Sequence, residues 1–255
     1  MRRLISLMIL AILGLSSPAF AQSTNWVDDT AYTAGQGEWE IGLFGPVRYG
    51  LVDTVELSMH PLIAILMPNA SAKVAWIRDE EWQIATRHGI SYPTPLLRTL
   101  SKEGIGGVLP SHARVPHIIS LNNEVLVSRF VAWNHLMTWK IGVHFAPRFG
   151  SSEWATIDLP LVYARTAAYH GTATGRVGVD FHGPLIGKFD YAIDADVFMM
   201  PGMEGSFGVE HGTKLTWHLS DRFVLQAGYK VTYGGYPFGN QFHVLPVVDM
   251  QWAIR

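Results

Sequence analysis

The 255-residue chain contains no cysteine. That excludes disulfides, thiolate metal sites and a lipid anchor attached through an N-terminal cysteine. Neither sign of charge is in excess, with 19 Lys and Arg against 21 Asp and Glu, so no basic face is on offer to nucleic acid. Long apolar runs are also missing once the N-terminus is passed. Apolar residues make up 48% of the chain, yet after residue 21 no run of them approaches the ~20 residues of a spanning helix. A chain this apolar that enters a membrane without such a run has to cross it as strands. His-Glu-x-x-His, a glycine-rich phosphate loop and Gly-x-Ser-x-Gly are absent too, which removes the most legible catalytic signatures. The expectation is a protein without enzymatic activity, cofactor or bound metal.

What is present begins with a targeting signal. Met1-Arg2-Arg3 precedes an apolar run from Leu4 to Leu15 and the small residues Ala19 and Ala21. This pattern predicts a cleaved secretory signal over 1–21, too short in its apolar part to serve as a membrane anchor. Gln22 to Gln36 is polar, with Asp28-Asp29, and reads as a periplasmic lead-in to a domain over 37–255.

That domain is dominated by alternation. Phe207, Val209, Thr213, Leu215, Trp217 and Leu219 form one row, broken only by His211, and Glu210, Lys214 and His218 lie on the other. After the turn Ser220-Asp221-Arg222, Phe223, Leu225, Tyr229, Val231 and Tyr233 alternate with Gln226, Lys230 and Thr232. Period-two alternation on both sides of a short polar turn is a β-hairpin. Its arms exceed the five or six residues usual in soluble domains and suit a transmembrane barrel strand. The same rhythm predicts strands over Gly37–Phe44, Val55–His60 (followed by an apolar tail to Met67), Lys73–Arg78, Trp82–Tyr92, Ile118–Phe130, Met137–Phe145, Ile157–Tyr163, Val177–Phe181, Tyr191–Val197 and Phe242–Ile254. In this reading Gly45-Pro46 is a kink and Tyr49–Asp53 a turn. Residues 93–114, with three prolines and three glycines, form the longest irregular stretch.

The fold class is therefore all-β: an antiparallel up-and-down transmembrane barrel of about twelve strands, roughly ten to fourteen, an even number being expected. With both termini periplasmic, this strand assignment puts the 93–114 loop on the periplasmic side, against the usual placement of long loops outside.

Two turn segments carry a resemblance. Tyr49-Gly50-Leu51-Val52-Asp53-Thr54-Val55-Glu56-Leu57 and Leu219-Ser220-Asp221-Arg222-Phe223-Val224-Leu225 resemble the tight turns, each followed by an alternating strand, of bacterial outer-membrane β-barrel proteins of the porin and small-channel type. The likeness is one of class. It implies export to the outer membrane of a Gram-negative bacterium, contact with its lipids, and delivery by the assembly machinery through the C-terminal strand. It departs at the end of the chain, where Trp252-Ala253-Ile254-Arg255 replaces a terminal aromatic residue.

The two faces predict two roles. Trp39, Trp76, Trp82, Trp139, Tyr163, Tyr191, Trp217, Tyr229, Tyr233 and Trp252 fall mostly on apolar rows and are expected at the membrane interfaces, where aromatic belts form. The polar rows carry Glu56, Lys140, His144, Arg176, Asp180, His182, Asp190, Asp194, Asp196, Glu210, Lys214, Lys230 and Asp249. These are the expected lumen network, since opposite charges on neighbouring strands pair. Asp190, Asp194 and Asp196 do not make a cation site, because same-face neighbours lie about 6.5–7 Å apart along a strand. About eight strands give a filled barrel and 16 or more an open one, so the lumen reads either as a narrow channel for small solutes or as the charged interior of a structural envelope barrel. Two alternatives belong to other classes. One is a barrel lipid hydrolase, with His218 and Ser220 as its candidate pair. The other is a soluble periplasmic β-rich protein that binds a ligand.

Overall fold

In the computed structural model, which describes residue 26 and residues 29–105, 109–131, 135–151, 157, 159–237 and 239–255, the alternating segments become long antiparallel strands. In chain order the elements are β1 (Trp39–Gly42), β2 (Val47–Val52), β3 (Val55–Met59), α1 (Pro61–Ala64), β4 (Asn69–Arg78), β5 (Trp82–Ser91), α2 (Thr94–Leu100), β6 (His117–Ile118), β7 (Ser120–Val131), β8 (His135–Phe145) and β9 (Arg148–Phe149). Then follow α3 (Pro160–Thr166), α4 (Ala168–Gly171), β10 (Ala173–Ile186), β11 (Phe189–Met199), β12 (Phe207–Ser220), β13 (Phe223–Tyr236) and β14 (Gly239–Ile254). Twelve of the strands close a barrel in the order β1-β14-β13-β12-β11-β10-β8-β7-β5-β4-β3-β2, and β6 pairs with β9 outside it. Closure is made by Trp39 to Gly42 running antiparallel to Ile254 to Gln251, so both ends of the barrel chain lie at the same rim. No helix is long and apolar enough to cross a membrane among the described residues.

The expected strand number holds, but two of its members differ. Val47–Val52 is a strand, β2, whose inward residues Arg48 and Gly50 are buried; the turn is the shorter Asp53-Thr54 pair. Gly45-Pro46 belongs to the tip of the β1–β2 hairpin, where Gly42 N–H bonds Pro46 O at 3.2 Å. The segment expected as a strand over 157–163 instead enters α3, with Pro160 in its first turn. There the missing N–H is no loss and the fixed φ suits a helix. Adding one strand and removing another preserves the count and reverses the polarity between them. The described residues of 93–114 consequently sit at the rim opposite the termini, together with those of the long connections at 60–68, 146–172 and 200–206. The terminal rim carries short turns such as 53–54, 187–188 and 221–222. This is the usual asymmetry of outer-membrane barrels.

The burial pattern is inverted relative to a soluble domain. On the outward rows Ile141 is 61% and Val177 46% exposed, while inward Lys140 is 0% and Glu56 1% exposed. The conventional apolar core lies in the long connections. Leu97, Leu109, Val115, Ile118, Ala146, Ile157, Ala168 and Tyr169 pack together over the open rim. Tyr163, Ala164, Ala167, Phe198, Met200, Met203 and Tyr236 form a second cluster. Thr94 Oγ donates to Pro116 O at 3.0 Å and accepts the Ile118 N–H at 2.9 Å, tying α2 to β6. The described residues of the 93–114 stretch thus belong to a folded cap whose core they share with Val115, Ile118, Ala146, Ile157, Ala168 and Tyr169.

Candidate functional site

The lumen is built from cross-strand pairing. Neighbouring strands lie about 4.8 Å apart, so charges on adjacent inward rows meet directly. Near the terminal rim, Arg48 donates to Glu40 Oε2 at 2.5 Å and to Glu56 Oε2 at 2.7 Å, and Lys73 Nζ lies 3.4 Å from Glu56 Oε1. Around the middle of the barrel, Glu124 receives Arg87 at 2.5 Å and Arg176 at 2.8 Å, and Arg176 reaches on to Asp196 at 2.7 Å. Lys140 Nζ sits 2.5 Å from Asp180 and 3.0 Å from Asp196. Towards the cap, Glu210 takes Arg165 at 2.6 Å and Lys230 at 3.0 Å. Lys140 reaches Asp196 only because the residue between them is Gly178. A Cβ there would stand 1.9 Å from Asp196 Oδ1 and 2.8 Å from Lys140 Cε. Buried charges on this scale are tolerable because each has an opposite partner, and Arg48, Glu56, Arg87, Glu124, Lys140, Arg176, Asp196 and Glu210 each have two, to offset desolvation.

The lead-in contributes to this interior. Its described residues do not stay outside the barrel. Ala31 N–H bonds Ser128 Oγ at 2.9 Å, Ala34 N–H bonds Glu56 Oε2 at 2.8 Å, and Lys73 Nζ donates to Tyr32 O at 3.1 Å. Ala31 packs against Ala85 and Leu126. Trp26 is buried with Val224 and Ala253, and the Arg255 guanidinium lies 6.0 Å from its ring centre. The backbone passes so close to β2 that a Cβ on Gly50 would stand 1.9 Å from Gly35 O. Asp29 pairs with Arg87 at 2.7 Å. Burial raises its pKa, but the charges of Arg87, Lys140 and Arg176 outweigh this and hold the carboxyl well below the usual carboxylate range.

Every inward residue named from the sequence is found on the lumen side, but only part of the set joins this network. Glu56, Lys140, Arg176, Asp180, Asp196, Glu210 and Lys230 do. His144 instead bonds Ser120 Oγ at 2.6 Å. Asp249 accepts the Phe44 N–H at 2.8 Å beside the β1–β14 seam. His182, Asp194 and Lys214 line a cavity of about 220 Å³ together with Asp29, Asp180 and Asp249. Asp190 lies near the terminal rim and bonds His218 at 2.7 Å. Ser220, the other half of the candidate hydrolase pair, accepts the Arg222 N–H at 3.3 Å. His211, on the outward row, donates from Nδ1 to Asp194 O at 2.8 Å.

Sequence reasoning missed Arg48, because its strand was read as a kink and a turn, and Arg165, because its helix was read as a strand. Glu40, Lys73, Arg87 and Glu124 stand on inward rows by the same alternation and were legible in principle. The participation of Asp29 has no sequence signal of this kind.

Of the aromatic residues, Tyr163 is a correction. It belongs to α3, is buried, donates to Glu204 O at 2.7 Å and meets Tyr236 edge-on with ring centres 5.2 Å apart. It therefore faces the cap core and no membrane. The others lie on the barrel exterior, several as cross-strand pairs near the terminal rim: Trp39 with Tyr49 at 4.5 Å, Phe223 with Trp252 at 5.1 Å and Phe189 with Trp217 at 5.9 Å. Trp82 stacks on Trp139 with ring centres 6.1 Å apart, and the Arg129 guanidinium lies 4.8 Å from its ring centre.

Two further cavities open towards the cap. The larger, about 430 Å³, is lined by Arg87, Arg165, Arg176 and Lys230 together with Met59, Ile63 and Met67. A neighbouring space of about 200 Å³ is bounded by His144, Tyr169 and Phe198.

No protein-family model matches the chain, and no curated protein sequence matches it. Among solved structures it is similar to a bacterial polysaccharide outer-membrane secretin, with a TM-score of 0.47 and 10% identity over 87% of this chain and 77% of that one. It is also similar to OccK11 (OpdR) of Pseudomonas aeruginosa, with a TM-score of 0.29 and 8% identity over 84% of this chain and 70% of that one. A third is the ferric yersiniabactin uptake receptor FyuA of Yersinia pestis, with a TM-score of 0.28 and 10% identity over 87% of this chain and 44% of that one. The fold itself rests on the closed antiparallel order of its twelve strands.

Proposed function

We propose that the protein is an outer-membrane barrel that works as a narrow, gated channel for small polar solutes, held shut at rest by its own N-terminal segment. The membrane placement is supported by the inverted burial. A belt of exposed Val, Ile, Phe and Trp around the strands would be a large aggregation liability in water, whereas lipid accepts it, and the strand ladder satisfies the backbone wherever neighbouring strands pair. The N-terminal signal pattern supports export. The single observation that carries the occluded state is the course of residues 29–36 inside the barrel, hydrogen-bonded to Ser128 and Glu56 from β7 and β3. A barrel of twelve strands lies between filled and open sizes. One extended segment together with a buried ion network is then enough to close it.

The direct test is planar-bilayer conductance of the mature chain against a variant lacking residues 22–36, with heat-dependent gel mobility first showing that both are folded. The mature protein should be nearly silent and the shortened one should give steady steps. Equal, open conductance for both would sink the gating role. Silence from both would sink the channel and leave the structural-barrel reading.

A further inference from the structure

The barrel wall has an open side. Strand β14 pairs with β13 along its full length, from Gly239 opposite Tyr236 to Trp252 opposite Phe223. On its other side it meets β1 only at Gln251 to Ile254, extended by Leu43 N–H to Met250 O at 2.9 Å and Phe44 N–H to Asp249 at 2.8 Å. Residues 240–248 therefore have no strand beside them on that side among the described residues, which is roughly 30 Å of free edge. The staves that should cover it, β1, β2 and β3, are four, six and five residues long against sixteen for β14. Pro246 stands within this stretch, as befits an edge strand. A bare edge is not stable against lipid chains; it persists in a membrane only where it borders protein or a wetted cavity. The gap is thus a side entrance, and two cavities lie behind it. The smaller reaches from Phe44, Val247 and Val248 at the wall to Asp194 and Lys214 inside. The larger shares Pro46 and Asp29 with it and extends to the cationic cluster.

The chemistry across this entrance is graded. At the wall the inward row of β14 turns apolar at Leu245 and Val247. On the far side, α1 buries none of its residues, and Ile65, which follows it, is 82% exposed. Ile63 and Met67 continue this apolar border into the larger cavity. Deeper in stand Arg87, Arg165, Arg176 and Lys230. Their carboxylate partners Glu124, Asp196 and Glu210 are 1–2% exposed, whereas Arg165 and Lys230 are 41% and 29% exposed. The acids lie beneath and the cations face the space, with Asp29 the one acid on the cavity lining. The volume is in the range of small-molecule sites, about 300–1,000 Å³.

We infer that this site takes an anionic single-chain amphiphile, a fatty acid or a lysolipid phosphate, which enters sideways from the membrane through the gap between β14 and α1. The anionic head sits among Arg165, Arg176 and Lys230, and the chain lies along Leu245, Val247 and Ile63. The inference rests on the membrane placement proposed above and is independent of conduction.

The test uses the full mature protein folded in nonionic detergent and reads oleate binding by calorimetry, with methyl oleate and inorganic phosphate as controls. Oleate should bind at least about tenfold more tightly than its uncharged ester, the scale of one charge-assisted contact. Phosphate should compete weakly. The triple variant Arg165→Gln, Glu210→Gln, Lys230→Gln removes the exposed cations together with their buried partner and should lose about tenfold in affinity. Val247→Trp fills the entrance without touching a charge and should weaken oleate as well, provided heat-dependent mobility shows a folded barrel. Equal binding of acid and ester overturns the head site. Phosphate matching oleate makes it a site for free anions and overturns the amphiphile. Absence of oleate binding overturns the whole inference. A barrel that conducts after loss of residues 22–36 but binds no oleate would retire this inference alone, and one that binds oleate but never conducts would retire only the channel.

Discussion

Lys140→Met is the sharpest probe of how the lumen is held together. The side chain is fully buried, with Asp180 at 2.5 Å and Asp196 at 3.0 Å, each 1% exposed. Methionine nearly preserves the volume, so the cavity contribution is small. The electrostatic consequences are unequal. Asp196 keeps Arg176 at 2.7 Å. Among the described residues Asp180 is ion-paired with Lys140 and with no second cation, so the substitution leaves one carboxylate buried and uncompensated. Removing one partner of a buried pair destabilises by about 3–5 kcal/mol. That is a large part of the ~5–15 kcal/mol that separates folded from unfolded proteins. The double variant Lys140→Met, Asp180→Leu removes the orphan as well and should return to within ~1–2 kcal/mol of the parent, because apolar replacement of a buried pair is often neutral. The two single changes should therefore couple strongly, well beyond the ~0.5 kcal/mol scatter of independent sites. Urea unfolding from lipid vesicles, followed by tryptophan fluorescence, measures all three variants. A Lys140→Met loss under ~1 kcal/mol, or a double variant as unstable as the sum of its parts, would mean that the network is hydrated and does not work as a buried scaffold.

Three further outcomes follow from the same geometry. Ile141→Arg, on an outward row with Val125 and Val177 as cross-strand neighbours, should cost about 2–4 kcal/mol in a bilayer; near-neutrality in vesicle unfolding would instead favour the soluble β protein. Gly50→Val should expel the lead-in, since even a Cβ there would collide with Gly35 O, and should raise conductance while the barrel stays folded by gel mobility; a silent, folded variant would break the link between the segment and closure. Acid should do the same reversibly. Asp29 has a depressed pKa when docked against Arg87, with Lys140 and Arg176 beyond, so its stabilisation of the docked segment is complete above the ordinary carboxylate value of about 3.9 and fades as pH falls through the docked value. Conductance should therefore rise below about pH 4, with a smaller acid response in Asp29→Asn; an identical response in that variant would assign the effect to other carboxylates.

The barrel was legible because a membrane strand shows its two faces in alternation. Phe207–Ser220 and Phe223–Tyr236 are long enough that neither β-bulges nor an interrupting His211 hide the period. Short strands carry no such redundancy. Val47–Val52 holds one charge, one glycine and an aromatic residue, and next to Gly45-Pro46 it looks like a turn. Leu159 to Tyr163 fails in the opposite way. Its apolar residues sit two apart, but Pro160 starts a helix, and the period of an amphipathic helix cannot be distinguished from a strand over five residues. These two local errors turned a normal barrel into one with its long loop on the wrong side. Polarity is a property of the whole count and inherits every mistake made before it.

The lumen was half legible for a related reason. Alternation says which side chains point inward, but it does not say how far along the barrel each one lies, and pairing depends on both. Lys140 and Asp196 are not register partners: Lys140 stands opposite Gly178, and Gly178 opposite Asp196. The ion pair spans a glycine, and only the shared register of three strands reveals that the glycine is a gap made for it. The lead-in is harder still. Its contacts use backbone N–H groups at Ala31 and Ala34, which every residue but proline possesses, so no residue type at those positions announces a segment that enters the barrel. Arg48 and Lys73 engage both oxygens of Glu56, and the Ala34 N–H shares Oε2 with Arg48, so the lead-in adds one more donor to a buried carboxylate. The shortness of β1 to β3 leaves β14 without a neighbour above it, whereas the approach of the lead-in to β2 rests on the missing Cβ of Gly50. The unpaired edge of β14 thus traces to one feature of the sequence, the abrupt tip of the β1–β2 hairpin at Leu43 to Pro46.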